Sequence, residues 1–351
     1  MGTLLEILVL IAGFGLLIKG ADIFVESCVN VAEWLKIPNI VIGLTIVAMG
    51  TSTPEIVFNV SAAIRGYSDM AVGNIVGSNI FNLLFIMGFC AMIQPVAVKL
   101  KEILRDFSIG VGAAVLLLIM MFVFGDVIPR IGGFALLAIF IVYMTYFVRV
   151  ALKNRCEEEI SDKVEGCGCD NGSGIENCAT VENGNALENG GVVKNGGDGG
   201  NNRRSIAKNI FVGLFGLVII VAGGQLAVTM AVNIAFTFGI TERVVGLTIL
   251  AIGTSMPELV TSIVACKKGK ADIAIGNIVG SSIFNILFIL GITGLIIPLA
   301  TDSNMIFDLT FLIIGSLLFL LFAYTGKKVV RSEGLLMVAA YAVYMVSITL
   351  M

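Results

Sequence analysis

The sequence predicts an all-α, polytopic membrane protein whose ten transmembrane helices form two inverted repeats of five helices each. The chain is 57% hydrophobic and only 13% charged, too little charge to cover the surface of a soluble protein of 351 residues. Apolar stretches of about 20 residues, each long enough to cross a bilayer, recur along it. The two halves also align with each other. A soluble globular protein is therefore excluded, and the net charge of -3 favours neither nucleic acid nor an acidic partner.

Ten apolar spans can be placed along the chain. They cover residues 3–25, 40–64, 70–95, 106–125, 128–150, 207–232, 243–266, 272–298, 305–324 and 333–351. The first charge is Glu6, so the N-terminus lacks a basic region and span 1 is expected to stay as a helix rather than to be cleaved as a signal peptide. Spans 1–5 form a first repeat at residues 1–150, and spans 6–10 form a second at residues 207–351.

Residues 151–206 interrupt this pattern. They are rich in Asn, Gly and Glu and offer almost nothing to bury, which predicts a flexible linker between the two repeats. Cys167 and Cys169, with acidic residues nearby, could bind a metal, but free thiols in a solvated linker are the favoured interpretation.

Basic residues are concentrated in alternate loops. They include Lys99, Lys101, Arg105, Lys153, Arg155, Arg203, Arg204, Lys267, Lys268, Lys270, Lys327, Lys328 and Arg331. The other loops hold only Arg65, Arg130 and Arg243. The positive-inside rule then predicts a multi-pass protein of the cell membrane with both termini outside and the 151–206 loop in the cytoplasm.

The internal repeat is the strongest signal in the sequence. An offset of 203 residues aligns 37–95 with 240–298 without a gap, and about 32 of the 59 positions are identical, far more than shared apolar composition produces. Because each repeat holds an odd number of spans, the second must enter the membrane in the opposite sense to the first. Inverted repeats with broken helices are the architecture of many secondary transporters. The alternative, duplication of a purely structural bundle, does not explain why the matched positions are polar.

A motif containing proline and glutamate lies near the middle of spans 2 and 7. It reads Gly-Thr-Ser-Thr-Pro-Glu over residues 50–55 and Gly-Thr-Ser-Met-Pro-Glu over residues 253–258. Proline interrupts a helix, so carbonyls around 48–51 and 251–254 are expected to lose their helical partners. A proline kink alone does not explain Glu55 and Glu258, because an ionised carboxylate inside a membrane costs several kcal/mol unless it is compensated.

A second motif follows in spans 3 and 8, at residues 73–82 and 276–285. Asn74, Ser78 and Asn82 are four residues apart and share one helix face. Gly73 and Gly77 form a small-residue strip that favours close helix packing. Hydrogen bonding between helices is the alternative role of the asparagines.

These side chains and carbonyls offer only oxygen as a ligand, and the chain has no histidine. An all-oxygen set selects hard cations, namely sodium, calcium or magnesium. Magnesium is less favoured because it retains its waters. No nucleophile–base pair or phosphate-binding loop is visible, so an enzyme is not expected.

At these residues the sequence resembles the cation/calcium exchanger superfamily, and specifically its prokaryotic sodium/calcium exchanger-like members. The resemblance covers almost the whole chain outside 151–206. It implies a central site formed by spans 2, 3, 7 and 8, with spans 1 and 6 sliding past the others. The implied calcium ligands are Glu55, Glu258 and the backbone carbonyls of Thr51 and Thr254. Flanking sodium sites would use the carbonyls of Ala48 and Ala251 with Ser52, Ser78, Ser255 and Ser281, and Asn82 and Asn285 would border the centre.

The chain departs from two branches of that superfamily. Potassium-dependent relatives carry aspartate where Asn285 stands, so potassium dependence is not expected here. Proton/calcium exchangers usually carry Gly-Asn-x-x-Glu in place of the motif at 50–55, and the hydroxyl-rich version suits sodium.

The resemblance thus implies a sodium/calcium antiporter. The expected partners are calcium and sodium ions and the lipid bilayer, no cofactor is expected, and the expected assembly is a monomer. A proton/calcium antiporter remains the first alternative. A cation channel and a non-transporting membrane scaffold are further alternatives.

Overall fold

The computed structural model describes residues 3–35, 38–97, 100–125, 127–166, 199–237, 251–301, 305–326 and 328–350. Most of these residues are helical. In chain order the helices are α1 Thr3–Leu35, α2 Asn39–Thr51, α3 Thr53–Ile64, α4 Ser68–Ile93, α5 Leu100–Phe124, α6 Arg130–Gly166, α7 Gly199–Thr237, α8 Ala251–Thr254, α9 Met256–Lys267, α10 Ala271–Ile296, α11 Met305–Gly326 and α12 Arg331–Leu350.

Seven helices in the described part of the chain are long and apolar enough to cross a membrane, and α2 with α3 would form an eighth span bent by 45°. Large apolar side chains such as Leu4, Phe122 and Phe211 are exposed on the outer helices. Polar side chains are instead buried at the centre of the bundle. This arrangement is the reverse of a soluble fold, and it confirms a multi-pass membrane protein.

Two helices lie at the centre. The apolar windows of α4 and α10 are 78% and 89% buried, whereas those of α1, α5, α6, α7 and α11 are between 28% and 33% buried. The segment Gly43–Val47 of α2, and the segments Phe81–Ile86 of α4 and Phe284–Ile289 of α10, have π-helical hydrogen bonding. Such π segments often occur at functional sites, and the sequence did not predict them.

Glycines allow close helix contacts, of which two illustrate the packing. A Cβ on Gly20 of α1 would lie 2.8 Å from the backbone N of Ile220 in α7, and a Cβ on Gly276 of α10 would lie 2.6 Å from the carbonyl O of Ile40 in α2. The strip predicted from Gly73 and Gly77 has no equally close approach to any described residue.

Four two-residue strands, absent from the all-α prediction, join the two halves. Strand β1 (Val96–Ala97) pairs with β4 (Lys328–Val329), and β2 (Val127–Ile128) pairs with β3 (Leu299–Ala300), both antiparallel. Each pair takes one strand from each half, so the pairing ties the ends of helices from residues 1–150 to those from residues 207–351.

Some predicted boundaries are wrong. Helix α1 continues to Leu35 because Pro38 is the first proline after it. Helices α6 and α7 extend into the predicted linker at residues 151–166 and 199–206. Neither helix contains a proline, and residues 151–166 are rich in the helix formers Lys, Arg and Glu. Residues 167–198, with Cys167 and Cys169, and the beginning of the predicted span 243–266 lie outside the described residues.

Candidate cation-binding site

The site forms where two helices break at matching positions. Helix α2 ends at Thr51 and α3 begins at Thr53, with Ser52 between them at φ -81° and ψ 9°. In the other half, Ser255 separates α8 from α9 at φ -90° and ψ 9°. Pro54 and Pro257 lie in the first turn of the helix that follows each break, where a missing N–H costs nothing.

The break leaves fewer free carbonyls than the sequence predicted. The Ala48 carbonyl still accepts a hydrogen bond from the Ser52 N–H at 3.0 Å. The expectation that it loses its helical partner is therefore wrong, because the chain turns only after Ser52. The Thr51 hydroxyl also contacts this oxygen at 3.4 Å, which is longer than its 3.0 Å hydrogen bond to the Val47 carbonyl.

Polar side chains from the two breaks and from α4 and α10 are buried together. The buried members are Thr51, Ser52, Glu55, Asn74, Ser78, Asn82, Thr254, Ser255, Glu258, Asn277, Ser281 and Asn285. Ala48 is also buried, one turn before the first break, and Ala251 begins α8 before the second. The predicted ligand residues of the two repeats thus come from the same four helical regions that the sequence indicated.

The two carboxylates are held by serines of the opposite half. Ser52 Oγ donates to Glu258 Oε1 at 2.9 Å, and Ser255 Oγ donates to Glu55 Oε1 at 3.2 Å. Ser52 Oγ also lies 3.2 Å from Ser281 Oγ. Each glutamate follows a proline in one repeat and is oriented by a hydroxyl of the other, so the site is complete only when both halves are present.

One oxygen of each carboxylate remains available. Within the described part of the chain, Glu55 Oε2 and Glu258 Oε2 have no hydrogen-bond partner although both are buried. Other buried polar atoms without a partner among the described residues are Ser78 Oγ, Asn285 Oδ1 and both polar atoms of the Asn82 amide. A buried, unpaired polar atom costs about 1–3 kcal/mol, and more when charged. This set of oxygens is therefore suited to binding a cation that would satisfy them.

Asn74 and its counterpart Asn277 do not lie free on the helix face. Each forms hydrogen bonds with side chains of other helices. Thr51 Oγ1 donates to Asn277 Oδ1 at 3.1 Å, and Thr254 Oγ1 donates to Asn74 Oδ1 at 3.4 Å. Asn277 also donates from Nδ2 to Ser262 Oγ at 3.0 Å. For Asn74 and Asn277 the alternative of interhelical hydrogen bonding is confirmed, and these bonds fix the threonines at both breaks.

Asn59 and Asn79 also belong to the site, although the sequence did not predict them. Asn59 Nδ2 donates to the backbone carbonyl of Glu55 at 2.6 Å, and Asn79 Oδ1 accepts from Asn285 Nδ2 at 3.2 Å. Each position differs between the repeats, since serine stands at the aligned positions 262 and 282. The difference between the two repeats at each position is the sequence signal that identifies both residues.

Long apolar helices around a buried site of two carboxylates and many neutral oxygens define this chain as a membrane transporter of cations. No group of three or more Asp, Glu, Cys or His side chains that could hold a metal occurs in the described residues. Among the described residues, the formal negative charge of the site therefore comes from the two glutamates alone.

Comparison with known proteins gives the family. A family model described as "Sodium/calcium exchanger protein" matches residues 5–149 and 208–350. The chain is 34% identical to the sodium/calcium exchanger MaX1 of Methanosarcina acetivorans, with 97% of both chains covered. It is 33% identical to the putative antiporter CaxA of Alkalimonas amylolytica, with 95% of both covered. The chain belongs to the sodium/calcium exchanger family and is a prokaryotic cation/calcium exchanger.

The fold agrees with solved structures of that family. The chain superposes on the sodium-calcium exchanger NCX_Mj, soaked with 10 mM Na⁺ and zero Ca²⁺, with a TM-score of 0.76 at 29% identity. The match covers 98% of this chain and 99% of that one. A family of exchangers, not of enzymes, is what these matches describe.

Proposed function

We propose that this chain is a secondary active transporter that exchanges sodium for calcium across the membrane by alternating access. The observation that carries the proposal is the reciprocal pairing of Ser52 with Glu258 and of Ser255 with Glu55. It places two buried carboxylates in one oxygen-lined site, and each carboxylate keeps one oxygen without a partner in the described part of the chain.

The two carboxylates set the charge of the cargo. Together they balance one calcium ion, and they also balance the charges of bound sodium ions. Calcium takes six to eight oxygen ligands, so the neutral oxygens must complete its shell. We assign the calcium ligands as Glu55, Glu258 and the backbone carbonyls of Thr51 and Thr254. The hydroxyls of Ser52, Ser78, Ser255 and Ser281 and the carbonyls of Ala48 and Ala251 supply flanking sodium sites, and the amides of Asn82 and Asn285 border the centre.

The same charge explains coupling. Two ionised carboxylates without cations are costly to enclose in a low-dielectric protein interior. The protein with an empty site therefore does not readily change between its inward-facing and outward-facing states. The protein with calcium or sodium bound at the site can make this change. Exchange rather than leak follows from this difference.

The proposed transition uses the packing of α1 on α7. A Cβ on Gly20 would lie 2.9 Å from the Gly216 carbonyl O, and a Cβ on Gly223 would lie 2.9 Å from the Gly13 carbonyl O. The two helices are closely packed on each other, yet their apolar windows are only 28% and 33% buried. We propose that they slide as a pair past the bundle centred on α4 and α10.

The proposed topology has ten spans in two inverted repeats, with residues 1–150 and 207–351 as the repeats. The two family-model matches, one in each half, support it. In the proposed topology both termini lie outside and the 151–206 segment lies in the cytoplasm, which the concentration of lysine and arginine in alternate loops supports.

The proposal predicts sodium-dependent calcium uptake. Proteoliposomes containing the purified protein are loaded with sodium, diluted into sodium-free buffer and supplied with radioactive calcium. Uptake should depend on internal sodium, because outward movement of sodium returns the site to the outer face. Liposomes loaded with choline at the same pH are the control.

Three other outcomes would contradict the proposal. Uptake in choline-loaded vesicles that follows an imposed pH gradient would indicate a proton/calcium antiporter. Calcium flux without any counter-ion, at rates far above those of a carrier, would indicate a channel. A complete lack of calcium uptake would indicate another cation or a non-transporting protein.

A further inference from the structure

Asn79 is the one position at which the second motif differs between the two repeats. Residues 73–82 and 276–285 are otherwise identical, and serine stands at the aligned position 282. The side chain of Asn79 is fully buried in α4, between Ser78 and the π segment that begins at Phe81. A single asymmetric residue in an otherwise duplicated site is a candidate for making the two halves behave differently.

The Asn79 amide uses both of its polar atoms to join α4 to α10. Its Nδ2 donates to the carbonyl of Ser282 at 3.3 Å, and its Oδ1 accepts from Asn285 Nδ2 at 3.2 Å. Asn79 and Ser282 also line a small cavity with Phe107, Leu312 and Ser316, so the amide separates the site from α5 and α11. Asn79 therefore supports the site from behind rather than supplying a ligand to it.

The bond from Asn285 fixes the orientation of its amide. Because Nδ2 is held by Asn79, Oδ1 is the free end, and it is buried without a partner in the described residues. Asn285 lies in the π segment Phe284–Ile289, which packs against α3, the helix that carries Glu55. An amide oxygen held in this way suits a hard cation, whereas an amide NH₂ group would repel one.

Asn82, the counterpart of Asn285, lacks this support. Both of its amide atoms are buried without a partner among the described residues. Its support would have to come from position 282, but the shorter Ser282 side chain donates to the Ile278 carbonyl at 2.9 Å on its own helix. The two asparagines are therefore chemically identical and structurally inequivalent.

We infer that Asn79 is a positioning residue that fixes Asn285 as a preorganised oxygen ligand of the central cation site, whereas Asn82 must be oriented by the ion itself. The inference rests on the proposed function, because it adds the Asn285 Oδ1 atom, which borders the centre, to the calcium ligands proposed there. A ligand that is already oriented spends less binding energy on ordering. Loss of Asn79 should therefore weaken calcium binding more than it slows turnover.

The test compares sodium-driven calcium uptake by the wild type, Asn79→Ser, Asn285→Ala and the double variant of the two. Asn79→Ser should raise the calcium KM about tenfold, with the maximal rate within about twofold of wild type. In the Asn285→Ala background the same change should have no further effect on KM, since two changes that act through one interaction do not add. If the role of Asn79 were merely structural, Asn79→Ser would lower the stability and the maximal rate. These effects would be the same in the wild-type and the Asn285→Ala backgrounds.

A reciprocal exchange of residues provides the rescue. The variant N79S/S282N moves the asparagine from position 79 to the equivalent position 282 of the second repeat. There its Oδ1 can accept a hydrogen bond from Asn82 Nδ2. Its calcium KM should return to within about threefold of wild type, and Asn82→Ala should then be more harmful than Asn285→Ala, the reverse of the wild-type order. The comparison of Asn82→Ala with Asn285→Ala in N79S/S282N also tests the positioning role if Asn79→Ser alone does not yield folded protein.

The outcomes separate this inference from the proposed function. If the wild type takes up calcium in a sodium-dependent manner but Asn79→Ser leaves its KM unchanged, the positioning role is wrong and the antiporter stands. The positioning role is also wrong if, in N79S/S282N, Asn285→Ala still impairs calcium uptake more than Asn82→Ala does. A wild type without sodium-driven uptake contradicts the proposed function itself, whatever the variants do.

Discussion

Replacing Glu55 or Glu258 by glutamine should abolish calcium exchange while leaving the protein folded. Both carboxylates are fully buried, and glutamine has nearly the same volume and keeps an oxygen that can accept from Ser255 or Ser52. What is lost is half of the negative charge. Removing one partner of a buried charged pair costs about 3–5 kcal/mol, which corresponds to a decrease in affinity of about 10²- to 4 × 10³-fold.

The measurement is sodium-driven calcium uptake by each variant, with size-exclusion chromatography as the check on folding. Glu33→Gln is the matched control, because its side chain is 67% exposed and its carboxylate lies 4.0 Å from Lys270. Exposed ion pairs contribute about 0–1 kcal/mol, so this control should transport calcium like the wild type. Substantial calcium flux in both Glu55→Gln and Glu258→Gln would refute the assignment of the site.

Gly280→Ala should destabilise the protein and impair exchange. A Cβ on Gly280 would lie 2.6 Å from the Leu44 carbonyl O and 2.8 Å from the Ala48 Cβ, and no side-chain rotation relieves either contact. Helix α10 would have to move away from α2. Ser281, the next residue, bonds Ser52 at 3.2 Å and would move with it. Overpacking of this kind typically costs about 1–3 kcal/mol.

Thermal unfolding in detergent and calcium uptake measure the two effects. Gly112→Ala is the control, since Gly112 is exposed in the interior of α5 and a Cβ there meets no described residue within 4 Å. Both changes gain about 1 kcal/mol of helix propensity, so any difference between them reports the contact with α2. Equal stability and uptake in Gly280→Ala and wild type would show that α10 does not need this close approach.

Much of the site could be predicted from the repeat and from the cost of burying charge. Pro54 and Pro257 indicated where the helices break, and the matched positions of Glu55 and Glu258 indicated that both belong to one site. These inferences depend on local properties of the chain, namely a missing N–H group and a costly carboxylate, which a sequence shows directly.

The partners of these groups could not be predicted, because they depend on how the two halves pack. Ser52 lies near Glu55 in sequence, yet it bonds Glu258 of the other half. The Ala48 carbonyl retains its helical partner because its donor is the N–H of Ser52, which lies before the break and is not removed by Pro54. Asn79 lay in an apparently duplicated motif, and its role follows only from its distance to Asn285.

The competition of sodium and calcium for the same two carboxylates is tested most directly by binding to the purified protein. Radioactive calcium is kept at a fixed concentration while sodium replaces choline at constant ionic strength. Sodium should displace all of the bound calcium, with a dependence steeper than a single-site curve because one sodium ion balances only one of the two carboxylates. Calcium binding that is indifferent to sodium, in a protein whose Glu55→Gln and Glu258→Gln variants no longer bind calcium, would contradict the account.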